Sequence, residues 1–399
     1  MLPACSTGKL PVLLLMKPLS NIYHKICSIE NLYQAAKATL ARGRRYRGEG
    51  AFFSFHCEKE ISRLRQELLA QTYKHGKYTL FKIYDPKERV VAAAPIRDRV
   101  VHHAVHDVIE PVFDRMFIYD SYACRKGKGT HQALKRANSF LSANRYTLHL
   151  DVKSYFPSIR HDILKFILQR YIADEKTLWL LNEIIDSSPD SLLIDDWKSP
   201  LPPFSKGGKD CKSSVVELQL SLFDQQPSSA NRQSEVAVGL PIGNLTSQFF
   251  ANLYLNELDQ YAKHTLKCRY YIRYMDDMVL FDNDKVRLKI LGNELSDFAA
   301  ERLKLKFHEG VCPMPVSRGL TFLGFRLFPT RMRLKSENVN RFVKRMKGYQ
   351  KDCAEGRMAP EELTQAVQSW VTHASYGQTR KLRRQLFSKF TFTFGSCRH

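Results

Sequence analysis

Tyr270-Tyr271-Ile272-Arg273-Tyr274-Met275-Asp276-Asp277-Met278-Val279-Leu280-Phe281 reads as two apolar strands of opposite direction, joined by a tight turn that carries two adjacent aspartates. Adjacent carboxylates repel each other and sit poorly among apolar strands. A bound cation resolves the conflict. Aspartate also favours turns for its own backbone hydrogen bonds, so the same pair is what an ordinary turn offers. Taken alone, the string leaves both readings open.

A third acid strengthens the first reading. Tyr146-Thr147-Leu148-His149-Leu150-Asp151-Val152 is a mostly apolar strand ending at Asp151, followed by Lys153-Ser154-Tyr155-Phe156 and a helix beginning near His161. An acid at a strand end beside the hairpin would complete a site for two Mg²⁺, which prefer carboxylate, carbonyl and water oxygens, with Mn²⁺ as a substitute. Two such ions can activate an attacking 3′-hydroxyl and stabilise a leaving pyrophosphate.

Two further elements flank these acids. Gly239-Leu240-Pro241-Ile242-Gly243-Asn244-Leu245-Thr246-Ser247-Gln248 is a loop entering a helix that runs from about Thr246 to His264. Gly243 allows close approach of the backbone to a substrate, and Thr246 or Ser247 is placed to cap the helix, although a plain loop-to-helix transition reads the same way. Leu320-Thr321-Phe322-Leu323-Gly324-Phe325 is an apolar strand with a glycine, which by itself suits a core.

The rest of the chain agrees with a polyanionic partner. Its 399 residues carry 62 Lys and Arg against 40 Asp and Glu, a formal charge of +22, and a basic surface gains affinity by releasing counterions from phosphates. The competing reading is a basic but inert surface. Nine cysteines stand far apart, with no CxxC spacing and no compact disulfide framework, which fits a reducing, cytoplasmic setting. Leu10 to Met16 is apolar but too short to span a bilayer.

From Ile29 to Leu69 the pattern predicts helices broken by Arg42-Gly43-Arg44-Arg45-Tyr46-Arg47-Gly48, either a solvated loop or a phosphate-contacting one. Tyr78–Tyr84 and Arg89–Ala94 predict a hairpin around Asp85-Pro86-Lys87-Glu88, and Arg99–Phe113 a helix. Ser187 to Val238 loses periodicity and reads as a surface insertion. After Phe328 the chain is polar, basic and helical in pattern, with Arg341, Lys344, Arg345, Lys347, Lys351, Arg380, Lys381, Arg383 and Arg384 at helical spacings.

In this order the four elements resemble the reverse transcriptase family, over about Ile29 to Phe387 without the insertion. Tyr274-Met275-Asp276-Asp277 is similar to its catalytic hairpin, Leu150-Asp151 with Phe156 to its first palm motif, and Phe322-Leu323-Gly324-Phe325 to its primer grip. Most members carry Gln before the loop glycine and Ser-Pro at the end of that motif; here Ile242 and Gln248 stand in those places. That pair, with Leu150–Ile159 and Ser369-Trp370-Val371-Thr372-His373-Ala374, resembles the enzymes of diversity-generating retroelements.

The resemblance implies an α+β right-hand polymerase: an N-terminal extension (1–48), fingers (49–135), an antiparallel-sheet palm in two parts (136–186 and 238–328) around the insertion (187–237), and a helical thumb (329–399). It implies Asp151 and Asp276 as ligands of both metals, Asp277 assisting, and the Val152 carbonyl as a further ligand. Lys87 and Arg89, with Arg97 and Arg99 behind them, are candidates to grip the triphosphate, with Tyr155, Phe156, Ile242, Gly243 and Gln248 around the nucleotide. Phe156 would lie under the sugar, where its ring clashes with a 2′-hydroxyl. Implied partners are a structured template RNA, a DNA or RNA primer, deoxynucleoside triphosphates and an accessory variability-determinant oligomer, with no membrane. Leu303 to Pro315 departs from the family, which tends to carry lysines after the His308 position, and leaves the general acid for pyrophosphate unassigned. Two other expectations stand beside this one: a polymerase of antiphage defence or another retroelement, and a nucleic-acid-binding scaffold without catalysis.

Overall fold

The structure, a computed structural model, describes residues 18–41, 43–84, 88–189 and 236–394. Most of the predicted insertion, together with Lys87, the apolar Leu10–Met16 run and Arg42, lies outside the described residues. Among them are nine strands: β1 (Thr79–Ile83), β2 (Arg89–Ala93), β3 (Tyr146–Asp151), β4 (Tyr271–Tyr274), β5 (Asp277–Asp282), β6 (Met314–Pro315), β7 (Leu320–Phe322), β8 (Phe325–Phe328) and β9 (Arg331–Leu334). They form three antiparallel sheets, β1-β2, β4-β5-β3-β6 and β7-β8-β9, among a larger number of helices, so the architecture is α+β.

The four-stranded sheet is apolar on both faces, which explains why its strands read as near-continuous hydrophobic runs. Leu148, Leu150, Met278, Leu280 and Tyr271 face the larger core, with Phe250, Leu253 and Tyr254 of helix Leu245–Gln260 and Leu288 and Leu295 of helix Lys285–Arg302. Ile272, Val279 and Phe281 face the second core, with Phe140 and Leu141 of helix Thr130–Ala143 and Phe322, Phe325, Leu327 and Leu334 of the three-stranded sheet.

Helix Leu245–Gln260 is buried on nearly every side; its buried Asn252, Asp259 and Gln260 are answered from neighbouring segments, while Asn256 Oδ1 accepts from Gln260 Nε2 within the helix at 3.3 Å. It is capped differently from expectation: Asn244 is the N-cap, and neither Thr246 nor Ser247 caps it, both being buried. The α-helix also ends earlier, at Gln260, before a wider turn at Tyr261–Thr265. The predicted helix at Arg99 starts at Ile96, because Pro95 sets its entry and Glu49 accepts from the Ile96 N–H at 2.8 Å.

Leu320–Phe325 is not one strand. Leu323 (φ 48°) and Gly324 (φ 84°) form a two-residue turn between β7 and β8. Positive φ at both central residues is the hairpin geometry that matches strand twist.

After β9, helices Ser336–Ala354, Pro360–Ala374 and Arg380–Phe387 pack around Phe342, whose ring stacks on Trp370 at 3.7 Å. His373 against Phe325 (4.9 Å) and His131 on Tyr376 (3.3 Å) tie them to the β8 region and to helix Thr130–Ala143. Among the described residues, no helix is long and apolar enough to cross a membrane.

Candidate active site

Register brings the three acids to one end of the four-stranded sheet. β4 and β5 join through a two-residue turn, Met275-Asp276, with Tyr274 opposite Asp277. β5 pairs with β3 so that Asp277 lies opposite Asp151. The hairpin and the strand end predicted from sequence are therefore neighbours.

Asp276 is half-buried, and burial, followed by the charges of Asp151 and Asp277, pushes its carboxyl up to about 6. Arg89, the first residue of β2, acts in the opposite sense on it. His149 bonds Asp277 Oδ1 at 2.6 Å through Nε2, and His308 Nε2 stands 3.8 Å from Asp151 Oδ2.

The 305–308 segment finishes the edge of β3. Lys153 donates to the Lys306 carbonyl at 2.8 Å and His308 to the Asp151 carbonyl at 3.0 Å, flanking a bridge between Val152 and Phe307. In such an antiparallel pair the intervening residue turns its own N–H and C=O to the other edge. The Val152 carbonyl consequently points to the side where the Met275-Asp276 turn lies.

Among the described residues, no group of three or more His, Cys, Asp or Glu side chains is placed to hold a metal ion. Mg²⁺ does not need one, because it usually binds one or two carboxylates and completes its shell with water and substrate phosphate. The donor set fits: these are hard oxygens, and a divalent cation would relieve both the burial of the Asp276 charge, which raises it most, and its repulsion by Asp151 and Asp277.

Other predicted residues fall in several places. Phe156 is half-buried, its ring 5.7 Å from that of Tyr155, and its carbonyl accepts from Leu240 N at 3.0 Å, which joins it to the glycine loop. Tyr155 itself is buried and donates its hydroxyl to the Ala251 carbonyl. Arg97 is drawn to Glu67 through both terminal nitrogens. Ile242 is half-buried and its carbonyl accepts from Ala92 N at 2.9 Å. Gly243 (φ 119°) is required by this docking: a Cβ there would meet Val91 Cγ1 at 2.8 Å. The close approach expected at Gly243 is thus to β2. Gln248 accepts from the Cys124 thiol at 3.3 Å.

The primer-grip candidates Phe322 and Phe325 are buried, and Phe322 meets the His149 ring edge-on at 6.4 Å. His149 thereby touches both Asp277 and the β7-β8 hairpin. Sequence reasoning missed His149, although its place two residues before Asp151 on the same face of β3 was available as a signal. It also missed Arg273, which lies wholly buried behind the turn.

Residues 82–327 match the family model described as reverse transcriptase (RNA-dependent DNA polymerase). The chain belongs to the reverse transcriptase family, and it is an RNA-directed DNA polymerase. It is 25% identical to Protein YkfC of Escherichia coli K12 over 316 residues, 69% of this chain and 72% of that protein. It is 21% identical to the group II intron-encoded protein LtrA of Lactococcus lactis over 208 residues, 51% of this chain and 28% of LtrA. An uncharacterized 91 kDa protein in the cob intron of Schizosaccharomyces pombe is 21% identical over 206 residues, 51% of this chain and 21% of that protein. The chain thus spans most of Protein YkfC and less than a third of either intron protein.

Proposed function

We propose that this enzyme copies the template RNA of a diversity-generating retroelement into cDNA, with errors concentrated at template adenines. The observation that carries the polymerase chemistry is the register of Asp151 opposite Asp277 beside the Asp276 turn. In this reading the four-stranded sheet belongs to the palm, residues 49–135 with β1-β2 are the fingers, and the three helices after β9 the thumb. Asp151 and Asp276 would hold two divalent ions, with Asp277 and the Val152 carbonyl assisting. When bound, such ions make the primer 3′-hydroxyl a better nucleophile and neutralise charge on the departing pyrophosphate.

The chain's own residues do the rest. His149 fixes one oxygen of Asp277 and so orients the carboxylate. Arg89, with Lys87 beside it in sequence, supplies positive charge for the triphosphate, since phosphoryl transfer depends chiefly on positioning and charge stabilisation. Two relatives are encoded in introns, which agrees with a template RNA belonging to the element that carries the gene. An accessory variability-determinant protein would be the partner in that system.

Support for low fidelity comes from Ile242. Its carbonyl is bonded to Ala92 of β2, at a position where related enzymes carry a glutamine able to bond near the nascent pair. Isoleucine makes no such bond. A difference of about 1.4 kcal/mol between right and wrong insertion changes the error ratio roughly tenfold, so one hydrogen bond matters. Ile242→Gln and Ile242→Asn are expected to lower misinsertion opposite adenine more than opposite other bases. Deep sequencing of cDNA from one defined RNA reads this directly, and equal adenine error rates in all three active enzymes would reject the role.

A further inference from the structure

An arginine sealed in a protein interior is tolerated only when its charge and every N–H are answered. Arg273, in β4 two residues before Met275, is fully buried and meets that condition. Nε lies 2.8 Å from each Asp259 oxygen, and Nη2 lies 2.6 Å from Oδ2 and 3.4 Å from the Asn252 carbonyl. Nη1 donates to Asn252 Oδ1 at 3.0 Å and to the Met275 carbonyl at 3.2 Å.

The braces are themselves held. Tyr271 donates its hydroxyl to Asp259 at 2.7 Å, and Asn252 donates through Nδ2 to the Ala123 carbonyl at 2.9 Å. The Arg273 backbone is pinned as well, its N–H to the Asp120 carbonyl at 2.9 Å and its carbonyl to Tyr122 N at 3.0 Å. A guanidinium fixed from so many sides cannot follow the turn if the turn moves.

The turn has reason to move. Met275 sits at φ 55°, where a residue with a Cβ is disfavoured. Of the guanidinium's bonds, the one to the Met275 carbonyl reaches this strained peptide. Its neighbour across that peptide is Asp276.

We propose that Arg273 is the positioning residue of the catalytic turn: braced by Asp259 and Asn252, it holds Met275 left-handed so that Asp276 faces Asp151. The proposal rests on the reading of Asp276 as a metal-holding carboxylate. Lysine cannot substitute, since a single ammonium does not span Asp259, Asn252 and Met275 together.

The test is a double-mutant cycle on the full chain with Arg273→Lys and Met275→Gly, read by steady-state primer extension and thermal melting. Glycine adopts positive φ freely, so the turn then needs no holding. Arg273→Lys alone should lower kcat by roughly 10- to 100-fold, the scale of a misplaced catalytic group, with KM for the nucleotide little changed. In the Met275→Gly background the same change should cost less than about threefold, a coupling that additive packing effects do not produce. Equal losses of kcat in the two backgrounds overturn the proposal. Met275→Asn gives an independent version of the cycle, since asparagine also tolerates this backbone. If Arg273→Lys does not fold, Asn252→Ala takes its place, and absence of coupling there is equally contrary. Asp276→Asn is assayed alongside: retained extension defeats the reading of Asp276, whereas an inactive Asp276→Asn with an uncoupled cycle defeats only the role of Arg273.

Discussion

Phe156 stands where two segments meet, its ring beside Tyr155 and its carbonyl bonded to Leu240 at the start of the glycine loop. Half-burial leaves part of the ring available to a nucleotide sugar. Phe156→Ala should therefore raise incorporation of ribonucleotides relative to deoxyribonucleotides, because the steric penalty against the 2′-hydroxyl is removed. Competition assays with mixed nucleotides measure this, and unchanged discrimination would assign the ring to the core. Residue by residue, legibility followed chemistry. The acids were visible because adjacent carboxylates are hard to explain otherwise. Arg273 was not, since an arginine in a strand ordinarily faces solvent and its partner Asp259 lies on another element. Its one local signal was a charge in a strand apolar on either side.

At the scale of elements, periodicity found the strands that carry the site and the hairpin β1-β2, but failed where turns lacked the usual residues. Leu323-Gly324 is not the Asn-Gly or Asp-Gly pair that announces a two-residue turn, so β7 and β8 merged into one strand in sequence. Helix Leu245–Gln260 was found, but its end was misplaced because its burial is nearly complete and no single face marks where it stops. The β7-β8 turn is demanding: a Cβ on Gly324 would meet Asn338 Nδ2 at 2.8 Å, the same nitrogen that donates to the Gly324 carbonyl at 3.1 Å. Gly324→Ala is expected to destabilise the fold by about 1–2 kcal/mol from the backbone alone. Because the hairpin reaches His149 through Phe322, extension should weaken with it. Urea melting checks the first effect, and a melting midpoint equal to wild type would show that the turn relaxes at no cost.

Across the whole molecule, charge and chemistry are separated. The net +22 is distributed along the chain, while the acids proposed for catalysis occupy one sheet end. The helices after β9 present Lys344, Arg345, Lys347, Lys351, Arg380, Lys381 and Arg384 at exposed positions, and contacts from His373 and Tyr376 fasten them to β8 and to helix Thr130–Ala143. Affinity for a nucleic acid strand should then depend on the summed basic surface and little on the two turn aspartates. Activity should depend on those aspartates entirely. The most direct measurement compares wild type with the Asp276→Asn, Asp277→Asn double variant in Mg²⁺-dependent extension of a primer on a defined RNA, with RNA affinity measured in parallel. Extension should disappear while affinity stays within about threefold of wild type; sustained extension by the double variant would contradict the catalytic role of these aspartates.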